Sequence, residues 1–144
     1  MTLVLKDGTS WAETYRRCMQ AAPEAFDPDR IRNLIAGEWT RAGAPGEHST
    51  PVDGTEIEGP PRIDHPAAEA AVEGAVRQHR EWARVDLDER RARVARAVGA
   101  MREHRDLLAM LLVWEIGKPW RLACADVDRC LDGVDWYVEE AERQ

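Results

Sequence analysis

This sequence of 144 residues has no long hydrophobic run and no excess of basic over acidic residues. The densest apolar run, Leu107 to Trp114, has only eight residues, whereas a transmembrane helix needs about 20. The N-terminus lacks the basic region and the long apolar core of a secretory signal. Acidic residues outnumber basic ones by 27 to 20, which gives a formal net charge of −7. We therefore expect no membrane partner and no nucleic-acid partner, since phosphate binding needs a basic face.

Cysteine is scarce, and its spacing is not that of a metal site. Cys18, Cys124 and Cys130 form no CxxC pair, and no HExxH motif occurs. All three cysteines fall well inside predicted helices, where a small packing residue is the default interpretation. The sequence therefore predicts no catalytic residue, no metal site and reduced thiols in a cytoplasmic protein.

Phosphate-binding loops are absent as well. No GxGxxG follows a predicted strand and no GxxxxGK[ST] is present, so we expect no cofactor-binding residue in this chain. The acidic residues near the C-terminus are expected to form a solvated face, or in part to contact a partner. These residues are Asp126, Asp128, Asp132, Asp135, Glu139 and Glu140.

The composition, with 44% apolar and 33% charged residues, indicates a globular domain. Three regions follow one another. Residues 1–30 are predicted to be an N-terminal helical extension, with a helix over Ser10 to Ala22 that Ser10 caps. Residues 31–63 are predicted to be an arm of short strands, with a hairpin turn near Gly37.

Residues 64–144 are predicted to be almost entirely helical. Asp64 or His65 is expected to cap the first helix, and a second helix is expected after Asp86. Asp106 is expected to cap a third helix over 107–116 that Gly117 ends. A last helix starts at Pro119. On the first helix a buried stripe is predicted at Val72, Val76 and Trp82. On the second helix a buried stripe is predicted at Val94, Val98 and Met101.

Three segments, taken in order, resemble the N-terminal portion of the aldehyde dehydrogenase superfamily. Asn33 to Trp39 is similar to the opening I-N-G-E-W strand, and Ala67 to Trp82 with the following Asp-Glu-Arg is similar to a helical A-A-x-x-A-F-x-x-W…E-R run. Leu111 to Pro119 resembles L-x-x-x-E-T-G-K-P, and an aromatic pair, Trp136-Tyr137, follows on the next helix. The family's N-P-A-T-G turn is missing. Together the matches cover about residues 31–144.

The resemblance implies an α/β fold, of which this chain would be the start of the nucleotide-binding domain. The chain itself would be mainly α, with a few short strands before its helices. In the family a cysteine thiolate attacks an aldehyde, hydride passes to NAD or NADP, and a glutamate activates the deacylating water. The resemblance places these groups beyond this chain. We therefore expect an N-terminal portion of a longer homo-oligomeric enzyme, inactive by itself and unable to bind the cofactor alone.

Arg129 is the one candidate substrate-binding residue. The run from Asp126 to Arg129 resembles the segment in which non-phosphorylating glyceraldehyde-3-phosphate dehydrogenases place an arginine against the substrate phosphate. The resemblance therefore implies that Arg129 contacts an anionic aldehyde. The alternative is a surface arginine paired with an acidic residue of the same helix. For the chain as a whole, the alternative function is a stand-alone, non-catalytic helical module that binds another chain.

Overall fold

The computed structural model describes Gly8, residues 10–26 and residues 31–141. The elements begin with helix α1 and two strand pairs, followed by four helices. They are α1 (Trp11–Met19), β1 (Asn33–Ile35), β2 (Glu38–Thr40), β3 (Ala44–Ser49), β4 (Glu56–Arg62), α2 (His65–Trp82), α3 (Leu87–Glu103), α4 (Arg105–Ile116) and α5 (Trp120–Glu140). The predicted content, mainly helix with short strands before it, is confirmed. None of the described helices is long and apolar enough to cross a membrane.

Side-chain caps fix the starts of three helices, as predicted. The Ser10 hydroxyl accepts from the Glu13 amide at 3.3 Å. Asp64 and Asp86 each accept a backbone N–H of the first helical turn at 2.9 Å. These bonds satisfy amides that have no partner within the helix.

The predicted bounds of two helices are wrong. Helix α1 ends at Met19, because a tighter turn, with the Ala22 amide bonded to the Met19 carbonyl, follows it well before Pro23. Helix α4 begins at Arg105, and Asp106 does not cap it. Asp106 lies in the first turn, where its carboxylate pairs with the Arg105 guanidinium at 3.1 Å.

Helix α4 is the centre of the packing. It contacts α1 on one side and α5 on the other, and α3 packs on α5. The Trp114 ring is 1% exposed and stacks on Tyr15 with 5.3 Å between ring centroids. Ala109 and Ala123 are fully buried, and such small side chains let α4 and α5 approach closely. The apolar character of α4 all round is explained by these neighbours.

Two predicted buried stripes are wrong in part. Helix α2 buries none of its residues, and Val72 and Val76 are 63% and 48% exposed. Met101 of α3 is 42% exposed, whereas Val98 is buried as predicted. Periodicity identifies an apolar face, but burial needs a second element. None of the described elements covers these side chains.

The strands form two separate antiparallel pairs, β1 with β2 and β3 with β4. Ala36 and Gly37 both have positive φ, which confirms the predicted turn of the first hairpin. The Asn33 side-chain amide donates to the Pro61 carbonyl at 2.7 Å and thereby joins the two pairs. A Cβ at Gly46 would overlap the Pro60 carbonyl oxygen, so only glycine fits at this point of β3.

The second hairpin satisfies the C-terminal carbonyls of α4. The Thr50 hydroxyl donates to the Trp114 carbonyl, and the His48 Nε2–H donates to the Glu115 carbonyl at 2.8 Å. Gly117, with φ of 70°, ends the helix as predicted. The end of α4 is therefore fixed by its own turn and by a distant strand.

Candidate functional site

The candidate site is built on the turn between α4 and α5. After Gly117 the Lys118 amide donates to the Leu112 carbonyl at 3.2 Å, and Pro119 then directs the chain into α5. The Lys118 ammonium pairs with the Asp126 carboxylate, nearly two turns into α5. This ion pair connects the turn to the helix that carries Arg129.

Arg129 lies on α5 one turn after Asp126 and pairs with the same carboxylate. The Arg129 side chain is 77% exposed, so its guanidinium faces solvent. The structure therefore shows the same-helix pairing that the sequence offered as the alternative. Such exposed pairs contribute little to stability. Contact between Arg129 and a substrate stays a prediction.

The expectation of a solvated acidic face on α5 is confirmed for Asp132, which is 71% exposed. It is wrong for Asp126, which is 25% exposed, and wrong in part for Asp128 and Asp135, each 44% exposed. Asp128 accepts two bonds of 2.6 Å from the Arg105 guanidinium. Asp132 and Asp135 both accept from Arg102, at 2.9 Å and 2.6 Å. The carboxylates therefore join α5 to the junction of α3 and α4, which no local sequence pattern could predict.

Charge pairing shifts the pKa of Asp128. The hydrogen bonds from Arg105 hold the pKa of this carboxyl below its usual value. A depressed pKa in the folded state means that the pair contributes stability above the ordinary carboxyl pKa. This contribution is lost as the pH falls through the lowered value.

An apolar groove of about 400 Å³ lies beside Asp126, between α4 and α5 with the end of α3. Its lining is apolar apart from Asp126 and Cys130. The apolar residues are Met101, Leu108, Leu111, Leu112, Val127 and Leu131. The groove places an apolar surface next to the ion pairs of Lys118 and Arg129.

The cysteines do not form a reactive centre in the described part of the chain. Cys18 is buried in the core as predicted, and burial raises the pKa of its thiol. Cys124 is half-buried, whereas Cys130 is exposed, so the packing role predicted for Cys130 is wrong. No group of three metal-ligating side chains occurs among the described residues.

Comparison with known proteins decides the family. The sequence profile of the aldehyde dehydrogenase family matches residues 39–144. The chain belongs to this family. It is 33% identical to the 3-sulfolactaldehyde dehydrogenase of Pseudomonas putida over 125 residues, which are 83% of the chain and 26% of that protein. It is 29% identical to an NADP(+) succinate-semialdehyde dehydrogenase of Escherichia coli, over 79% of this chain and 24% of that protein.

Solved aldehyde dehydrogenase structures have the same fold. A 1-pyrroline-5-carboxylate dehydrogenase from Thermus with bound NAD superposes with a TM-score of 0.72 at 26% identity, over 99% of this chain and 28% of that one. An NADP-dependent enzyme of Escherichia coli superposes with a TM-score of 0.70 at 30% identity, over 79% of this chain and 24% of that one. The chain thus spans about a quarter of the length of the relatives that it matches.

Proposed function

We propose that this chain is the N-terminal part of an NAD- or NADP-dependent enzyme that oxidises an aldehyde to an acid. The observation that carries the proposal is the match over residues 39–144 to a family in which this chain covers only 24–26% of the relatives' length. The catalytic cysteine and glutamate would lie in the remaining part. By family resemblance, the intact enzyme would be a cytoplasmic homo-oligomer.

The starts of α2 and α3 do not favour a dinucleotide site. A helix N-terminus binds phosphate when its amides are open to an anion. In α2 and α3 the carboxylates of Asp64 and Asp86 each already accept a hydrogen bond from one of the first-turn amides. By family resemblance, cofactor binding is assigned to the remainder of the enzyme.

The first test is an assay of the purified 144-residue chain for aldehyde-dependent reduction of NAD or NADP. We expect no turnover above the buffer blank, because none of the described residues forms a nucleophile with a base. The longer enzyme that contains this chain is the positive control. Turnover by the chain alone would contradict the proposal.

The substrate is proposed to be an aldehyde that carries an acid group, bound in part by Arg129. The relatives' names specify succinate semialdehyde, 3-sulfolactaldehyde and 1-pyrroline-5-carboxylate, and each contains a carboxylate or a sulfonate. The exposed guanidinium of Arg129 has the planar geometry that pairs with such groups.

Arg129→Ala in the intact enzyme tests this assignment. We expect the KM for succinate semialdehyde to rise about tenfold, because a hydrogen bond to a charged group is lost. Butanal, a neutral aldehyde of the same chain length, should show an unchanged KM. Steady-state kinetics with both substrates gives the comparison. Equal changes for the two aldehydes would refute an anion contact at Arg129.

A further inference from the structure

One carboxylate of α5 holds two cations. Asp126 pairs through Oδ2 with Lys118 and through Oδ1 with Arg129. The three side chains differ in exposure: Lys118 is 30% exposed and Asp126 25%, whereas Arg129 is 77% exposed. Lys118 therefore lies on the inner side of the carboxylate and Arg129 on the outer side.

The charges of this cluster explain why a second cation matters. An Arg129–Asp126 pair alone has no net charge, so an arriving anion would be repelled by Asp126 as it approached Arg129. Lys118 raises the net charge of the three side chains to +1. The attraction that Arg129 offers an anion is thus restored without any contact between that anion and Lys118.

The backbone at Lys118 is held in place by a hydrogen bond and by its two neighbours in the chain. Its amide is bonded to the Leu112 carbonyl, and it lies between the left-handed Gly117 and Pro119, whose φ is −56°. The backbone on both sides is thereby restricted. The Lys118 side chain thus extends to Asp126 from a restricted backbone, whereas Arg129 projects from the helix surface.

We propose that Lys118 is a positioning residue for anion recognition: it neutralises Asp126 so that Arg129 remains a net positive charge facing the acid group of the aldehyde. The inference rests on the proposed function, because it assumes that the acid group reaches Arg129. It deepens that function by adding a residue that does not contact the substrate.

A pair of charge-neutralising variants of the intact enzyme tests the inference. Lys118→Met lowers the net charge of the cluster from +1 to 0, and we expect the KM for succinate semialdehyde to rise about threefold. The double variant Lys118→Met/Asp126→Asn restores the net charge to +1, and the KM should return towards its original value. The KM for butanal and both kcat values should not change. The threefold difference should shrink at high salt.

Arg84→Met is the matched control, because it removes one positive charge from an exposed ion pair with Glu81 at the end of α2. It should leave both KM values unchanged. A purely structural role for Lys118 would raise the KM for both aldehydes, and the double variant would not recover; either result overturns the inference.

The two proposals fail in different ways. If Arg129→Ala selectively weakens the anionic aldehyde while Lys118→Met does not, only the role of Lys118 is refuted. If Arg129→Ala has no selective effect, the anion contact itself is refuted and the role of Lys118 falls with it.

Discussion

Trp114→Ala is expected to lower the free energy of unfolding of the 144-residue chain by about 3–5 kcal/mol, the usual cost of removing a buried aromatic ring. Trp114 is 1% exposed and occupies the centre of the core, where α1 meets α4. The substitution opens a cavity and removes the stacked partner of Tyr15. Urea unfolding followed by far-UV circular dichroism measures the loss.

The matched control is Trp136→Ala, which removes the same side chain from the surface of α5. Trp136 is 54% exposed, and we expect a change below about 1 kcal/mol. If Trp114→Ala leaves too little folded protein, Trp114→Phe keeps an aromatic ring against Tyr15 and should lose less. Similar losses for Trp114→Ala and Trp136→Ala would contradict the central position of Trp114.

Gly117→Val should destabilise the chain by about 3 kcal/mol, at the upper end of the cost of a strained backbone residue. The φ of Gly117 is 70°, a left-handed conformation that a β-branched side chain strongly disfavours. A Cβ at this position would also lie 3.0 Å from Cγ of Pro51. Thermal and urea unfolding of the variant measure the effect.

Gly99→Ala provides the contrast for Gly117→Val. Gly99 lies within α3, and a Cβ there would meet no atom within 4 Å. Alanine in a helix is favoured over glycine by about 1 kcal/mol, so this variant should be slightly more stable. A Gly117→Val chain as stable as the unaltered one would show that the left-handed turn does not end α4.

The features predicted correctly from the sequence are those that depend on neighbouring residues. Ser10, Asp64 and Asp86 cap amides two or three positions away, and Gly117 ends its own helix. Such interactions need only the local chain, so short patterns contain the information for them.

The errors have a common physical origin in contacts that are distant along the chain. The apolar spacing of α2 predicted that Val72 would be buried, but no spacing reports whether another element covers a face. Asp128 was assigned to solvent because its partner, Arg105, is 23 positions earlier on another helix. For the candidate site, the motif at the end of α4 included Lys118 but gave no sign of its pairing with Asp126, because that contact depends on how α5 leaves the turn.

The hydrogen bonds from His48 of β3 and from Thr50, directly after it, to the end of α4 also bear on the order of folding. They join positions 64 and 67 residues apart, whereas α4 and α5 are neighbours along the chain. Closing the long loop costs more entropy than pairing adjacent helices, so we expect the hairpin to dock after the helical pair has formed. Until then the last turn of α4 lacks two of its bonds. We therefore expect the turn that carries Lys118 to become rigid late in folding, through bonds from a hairpin that lies far from it in the sequence.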